Sequence, residues 1–288
     1  MRTLLFLNFM IMPLLLNSAL SYAESLSPNY SVGLGLEVSS GTFGTDSTST
    51  YVIAPLIIDW YPTERFDLEL TVPYLYQQTK NTGVAVLGTG AKATARRNMN
   101  GQYTYVGGST TVTESGTVAN GGTGDDSVSG LGDITLTSGY TLLMDSDTSP
   151  RVRPTLYVKF PSADANKGLG TGKFDFGAGL AISKWLGNWL PFAEGRYVFQ
   201  GASREEIGAL DFVTADAGVG YSWNESLLTS MYARFGSSLF DGISAPLEAR
   251  LKTVWRFREH TYSEVYALKG FSDGSPDYGG GVSVFTEF

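Results

Sequence analysis

A two-residue period runs through this chain from Tyr30 to Phe288. Over 65–77, Phe66, Leu68, Leu70, Val72, Tyr74 and Tyr76 alternate with Arg65, Asp67, Glu69, Thr71 and Gln77, and Pro73 and Leu75 interrupt the polar set. Over 247–258, Leu247, Ala249, Leu251, Trp255 and Phe257 alternate with Glu248, Arg250, Lys252, Arg256 and Arg258. Successive side chains of a strand point to opposite faces, so each segment belongs to a sheet with one greasy and one polar face. No helical spacing competes in these windows. The same reading predicts strands near 30–39, 50–60, 66–77, 132–144, 151–160, 173–184, 189–199, 210–222, 227–238, 247–257, 261–270 and 278–288. That is twelve, an even number, as a closed antiparallel transmembrane β-barrel of the bacterial outer membrane requires.

The connections alternate in length. Tyr61–Arg65, Asp145–Pro150, Trp185–Asn188, Trp223–Ser226 and Arg258–His260 are short; 41–49, 78–131, 161–172, 200–209, 239–246 and 271–277 are mostly longer. Short periplasmic turns facing longer external loops is the asymmetry of outer-membrane barrels, and it sets the orientation. Tryptophan prefers the boundary between hydrocarbon and water. Trp60, Trp185, Trp189, Trp223 and Trp255 all fall at or beside the short-turn ends and form one girdle; Phe43, Tyr51, Phe174, Phe199, Phe240 and Phe271 are candidates for the second. The last strand carries Val282, Val284, Thr286 and Phe288 on its outward parity. That ending resembles the signal read by the barrel assembly machinery, with Thr286 where an aromatic is common. A soluble sandwich or ligand-binding barrel would produce the same alternation with its faces reversed.

Residues 1–23 read as a removable export signal: Arg2 is the cationic start, Leu4–Leu16 is apolar, and Ser21-Tyr22-Ala23 ends in the small residues a signal peptidase inspects. The apolar run is shorter than a spanning helix needs and is interrupted by Asn8 and Pro13. Residues 24–288 then form a single barrel domain with one long external loop at about 78–131.

Composition removes several classes of chemistry. With no Cys there is no disulfide framework, thiolate metal site or Cys nucleophile, and with His260 as the sole His no His-rich metal site. Lys+Arg 20 against Asp+Glu 28 is the wrong sign for a nucleic-acid binder. A barrel lipase needs Ser and His together on the lipid-facing wall, whereas His260 falls in a periplasmic turn. Lys167-Gly168-Leu169-Gly170-Thr171-Gly172-Lys173 lacks the spacing of a phosphate loop and precedes a strand. Neither Asp125-Asp126 nor Asp145-Ser146-Asp147 has a complete Ca²⁺-loop spacing. The sequence therefore points to no enzyme and no cofactor.

With the apolar parity on lipid, the other parity lines the lumen. It holds Glu37, Asp59, Asp67, Glu69, Asp133, Asp175, Glu194 and Asp216, and Arg153, Lys159, Lys173, Arg196, Arg234, Arg250, Lys252 and Arg256. Acids dominate the first three strands and cations the ninth and tenth, so Asp59, Asp67, Glu69, Asp216, Arg234, Arg250, Lys252 and Arg256 are the candidate selectivity residues. Such charges either set a transverse field across an open bore or pair and plug it. Within 78–131, Tyr103-Thr104-Tyr105 and Thr110–Val118 hint at a hairpin that extends the wall outward; Arg96-Arg97 is a candidate contact for lipopolysaccharide.

Several local patterns are familiar: Pro55-Leu56-Ile57-Ile58-Asp59-Trp60-Tyr61, Arg65-Phe66-Asp67-Leu68, Val72-Pro73-Tyr74, Gly130-Leu131-Gly132-Asp133, Lys159-Phe160-Pro161 and Gly168-Leu169-Gly170-Thr171-Gly172. Together they resemble the outer-membrane transporter-like family named for the meta-cleavage pathway of phenol degradation. The resemblance implies an outer-membrane barrel that passes small hydrophobic or aromatic compounds. The sequence thus suggests a passive channel for a small solute, in contact with outer-membrane lipid and lipopolysaccharide. The alternative is a non-conducting surface barrel with a partner-binding or envelope-structural role. Cleavage after Ala23 predicts that N-terminal sequencing of the membrane-inserted protein starts at Glu24; a start at Met1 would mean the leader is retained.

Overall fold

The computed structural model describes residues 29–44, 46, 48–79 and 126–288, with six short strand segments at 85–86, 90–91, 94–97, 103–106, 110–111 and 115–116. The export segment and Ala23 lie outside the described residues. The wall is made of β1 (Tyr30–Gly41), β2 (Ser49–Trp60), β3 (Phe66–Thr79), β4 (Asp126–Leu131 and Ile134–Tyr140), β5 (Arg151–Phe160), β6 (Asp175–Ser183), β7 (Trp189–Phe199), β8 (Phe212–Asn224), β9 (Leu227–Gly236), β10 (Leu247–Arg258), β11 (Thr261–Gly270) and β12 (Tyr278–Glu287). The hydrogen-bonded sheet counts thirteen segments, two of them halves of β4, which leaves twelve strands. Each pairs antiparallel with its sequence neighbours, and β1 closes on β12 from Ser31–Glu287 to Ser40–Tyr278. Apart from Asp126–Leu131, which pairs with β3 alone, the strands leave no edge open, the condition a bilayer imposes on a sheet.

Alternation places the side chains as the sequence predicts. Leu34, Leu36 and Val38 face outward on β1, Leu156 on β5, Phe176 and Leu180 on β6, Met231 on β9, Leu251 on β10, and Val282 and Val284 on β12. Among the described strand residues the outward set carries few charges; one, Lys269, places its Nζ 4.0 Å from the Tyr278 ring centre. Trp60, Trp189, Trp223 and Trp255 are exposed at the periplasmic ends. Trp185 departs from that girdle: it turns inward and packs against the buried cluster around Leu190 and Leu228. On the external side, Phe174, Phe199 and Phe271 are exposed, whereas Tyr51 and Phe240 are buried inside and Phe43 packs edge-on against Tyr51 at 5.7 Å. For these three, tucked-in loops rather than lipid supply the apolar contact.

The fourth strand differs from the predicted 132–144. It starts at Asp126 and breaks at Gly132-Asp133. Between the pairs Leu131–Tyr74 and Thr135–Thr71, β4 has three residues where β3 has two. This is a β-bulge, placed opposite Pro73, which has no N–H to give the ladder; the carbonyl of Pro73 takes the Gly132 N–H at 2.8 Å. Pro73 is itself in register with Pro55 on β2. Beyond Thr79, the segments pair in nested antiparallel order, 85–86 with 115–116, 90–91 with 110–111 and 94–97 with 103–106.

Small residues on the inner face make room for large ones. A methyl group on Gly33 would lie 2.2 Å from the ring of the inward Phe285, and one on Gly139 would sit inside the Arg153 guanidinium. Met231, at mid-strand and 63% exposed, gives a test of which face meets lipid. Met231→Lys should cost about 2–4 kcal/mol of folding free energy in lipid vesicles, as a cation near the bilayer midplane does, measured by urea titration. A cost indistinguishable from zero would put that face against water.

Candidate functional site

The interior of the barrel is stacked in three layers. At the periplasmic end, Leu190, Leu228, Val254, Tyr262 and Phe285 form an apolar floor, with Ile57 and Trp185 against it; the Tyr262 and Phe285 rings stack at 4.8 Å. At the external end two apolar clusters sit under the loops. One joins the inward Tyr157, Val198 and Phe212 to Ala202, Ala209, Leu239 and Phe240 of the loops 200–211 and 237–246. The other joins Ile53 and Leu75 to Leu169. Between floor and roof lies a belt of charge.

Register builds the belt. Reading across the wall, Arg153 is opposite Ala181, Ala181 opposite Glu194, Glu194 opposite Asp216, Asp216 opposite Arg234, and Arg234 opposite Glu248. All of these point inward. Glu194 and Asp216 are like charges directly across a ladder, an unfavourable arrangement alone. Cations flank the pair: Arg196 Nη2 is 3.8 Å from Glu194, and Arg234 grips Asp216 with Nε and Nη2 both at 2.8 Å. Arg153 forks onto Asp67 of β3, with its Nε at 3.0 Å. Arg250 donates to Glu248 from Nε at 2.8 Å and Nη2 at 2.6 Å. Lys252 meets Glu264 at 2.7 Å, and Arg256 meets Glu287 at 2.8 and 2.9 Å while lying over the Tyr262 ring. Glu37 accepts from Tyr266 Oη at 3.1 Å and faces the field of Arg250, Arg234 and Lys252. Asp59 accepts from Ser31 at 2.7 Å, and Glu69 lies within the field of Arg153 and Arg196.

The eight residues singled out from the sequence therefore all point into the barrel. What the sequence reading left out of the lumen set is Glu248 and Glu264, which sit beside Arg250 and Lys252. With Asp216, already in the set, beside Arg234, β9 and β10 carry ion pairs and no bare basic arc. Glu248 was visible on the polar parity; its partner was not, because alternation gives a face but not a rotamer. Arg234 and Arg250 are 0% and 1% exposed. The neighbouring side chains of the belt pack closely around these two guanidinium groups. Lys173, expected in the lumen, stands instead on the external loop before β6, where it meets Glu206 at 3.1 Å. There Glu206 caps the short helix α1 (Arg204–Ile207), and the Ser203 backbone N–H, with help from Lys173, holds its carboxyl below the ordinary range. His260 is exposed in the turn between β10 and β11. Among the described residues no group of three or more His, Cys, Asp or Glu is placed to hold a metal ion.

The sequence matches no protein-family model and no curated protein. The fold does match solved structures. An outer-membrane channel from Pseudomonas putida F1 aligns over 93% of this chain and 98% of its own, with a TM-score of 0.59 and 14% identity. The KdgM porin aligns over 90% and 99%, with a TM-score of 0.52 and 10% identity. Its complex with disordered oligogalacturonate gives 0.50 at 9% identity, over 90% and 99%. The chain has the outer-membrane barrel fold. At these identities the likeness is one of fold.

A buried ion pair is costly to break singly because the survivor is left charged in a poor solvent. Arg234→Met should lower unfolding free energy by about 3–5 kcal/mol, and adding Asp216→Asn should recover much of the loss. Full additivity of the two in a double-mutant cycle would mean that the pair does not hold the belt together.

Proposed function

We propose that this protein is a passive outer-membrane channel for a small solute, with the charged belt as its selectivity element. The observation that carries the reading is the inverted distribution of charge. Twelve strands keep ionised groups on the inner face and almost none on the outer, and a lumen that served only to fill space would be met more cheaply by apolar packing. The fold likeness to a channel and a porin supports it. Transport would run down a gradient, because the sequence shows no nucleotide site or energy-coupling segment. Asp59, Asp67, Glu69, Asp216, Arg234, Arg250, Lys252 and Arg256 are the proposed selectivity residues.

Kinship with the phenol meta-cleavage transporter-like family is part of this proposal and rests on the turn and strand-end motifs quoted above. A strictly apolar solute fits the belt poorly, since a molecule with no polar group would displace ion-paired side chains and give them nothing in return. A polar or amphiphilic solute is the better fit. The tight burial of the belt favours the rival reading, a non-conducting barrel of structural role. Refolded protein in planar bilayers separates the two: the channel reading expects discrete current steps, and barrels shown to be inserted yet carrying no current above background would overturn it.

A further inference from the structure

The glycine-rich run 167–173 belongs neither to a phosphate site nor to the belt, and its position assigns it a task. The loop 161–174 leaves β5, makes a short 3₁₀ turn at Ala165–Lys167, then enters the barrel instead of standing above it. Leu169 at its tip is fully buried and reaches the inner faces of strands as far away as β2, packing with Ile53 and Leu75. It lies so close to β4 that a methyl on Gly130 would stand 2.8 Å from it. Gly168 and Gly172, on either side, have φ of 67° and 69°, a region other residues avoid. The plug residue is therefore flanked by two backbone turns that glycine makes without strain.

A buried ionic cluster pins this loop. Lys159 Nζ, on β5, lies 3.2 Å from Asp133 and 2.6 Å from Asp175, with all three side chains closed to solvent. It also donates to Thr171 Oγ1 at 3.0 Å. Asp133, turned inward by the β-bulge, accepts the Ala163 N–H at 3.0 Å. Gly170 is pressed against that same carboxylate, with room for no side chain. Asp175 accepts the Gly201 N–H at 2.8 Å, which brings in the neighbouring loop, and Lys173 ties the two loops again through Glu206. One cation thus fastens two loops to three strands.

We propose that the segment Gly168–Gly172 is the outer gate of the pore, with Leu169 the residue that closes it and Lys159 the latch that holds it shut. This rests on the channel reading above. An apolar plug set against Ile53 and Leu75 excludes hydrated ions, which cannot shed water into an apolar constriction. The gate stands directly above the belt, so it decides what reaches the selectivity residues.

Because the chain has no Cys, a single engineered disulfide can lock the gate. In the full-length protein, Gly130→Cys with Leu169→Cys should conduct little in KCl across a planar bilayer while oxidised and conduct more after reduction. Leu169→Ser should raise the conducting fraction several-fold over the native protein. The neutralised latch, Lys159→Met/Asp133→Asn/Asp175→Asn, should do the same, with heat-modifiable migration on gels confirming a folded barrel. Equal currents from the oxidised and reduced pair, the disulfide being confirmed by its gel shift, would overturn the gate. A neutralised latch that conducts like the native protein would remove Lys159 from its role. If no form conducts, native, reduced or Leu169→Ser, the gate falls together with the channel reading; a native protein that conducts while the locked form conducts equally removes the gate alone.

Discussion

A bilayer interior supplies no hydrogen bonds, and that one fact organises this molecule. Each backbone N–H and C=O within the hydrocarbon must find its partner in the chain. A sheet meets that demand by closing on itself, so β1 must reach β12, and the pairing from Ser31 to Ser40 is what turns a long meander into a wall. Everything else follows from closure. The outer face is left with apolar side chains because lipid touches it, and the inner face becomes the one place where ionised groups can stand.

Placing charge there brings its own constraint. A narrow bore holds little water, so each ionised group needs an opposite neighbour. Register meets that need where Asp216 faces Arg234, and the (i, i+2) pairs Glu194–Arg196 on β7 and Glu248–Arg250 on β10 meet it by proximity on one face. Apolar floor and roof seal the belt at both ends, which lowers the local dielectric and makes the pairing more compulsory still. Stability and the proposed selectivity are therefore written in the same residues.

The architecture was legible because its cause is local. Alternation follows from the pleat, turn length from the asymmetry of the membrane's two sides, and tryptophan position from the interface. Strand number and the inward set came from these. What stayed hidden depends on neighbours distant in sequence. The carboxylate partners of Arg250 and Lys252 are fixed by rotamer and register. The inward turn of Tyr51, Phe240 and Trp185 depends on loops and clusters that fold over them. The bulge at Gly132-Asp133 had a signal, a glycine on β4 and Pro73 on its partner strand, but reading it required knowing that the two strands meet there. Leu169 was inside a run that looked like a loop because of its glycines; those glycines let the loop turn inward.

The two strands that seal the wall are the first and the last in the sequence. Until β12 exists, β1 has a naked edge able to recruit any extended peptide, so a partly made chain has no native way to protect itself. Completion is an all-or-nothing event, delayed until the last strand of the wall has arrived.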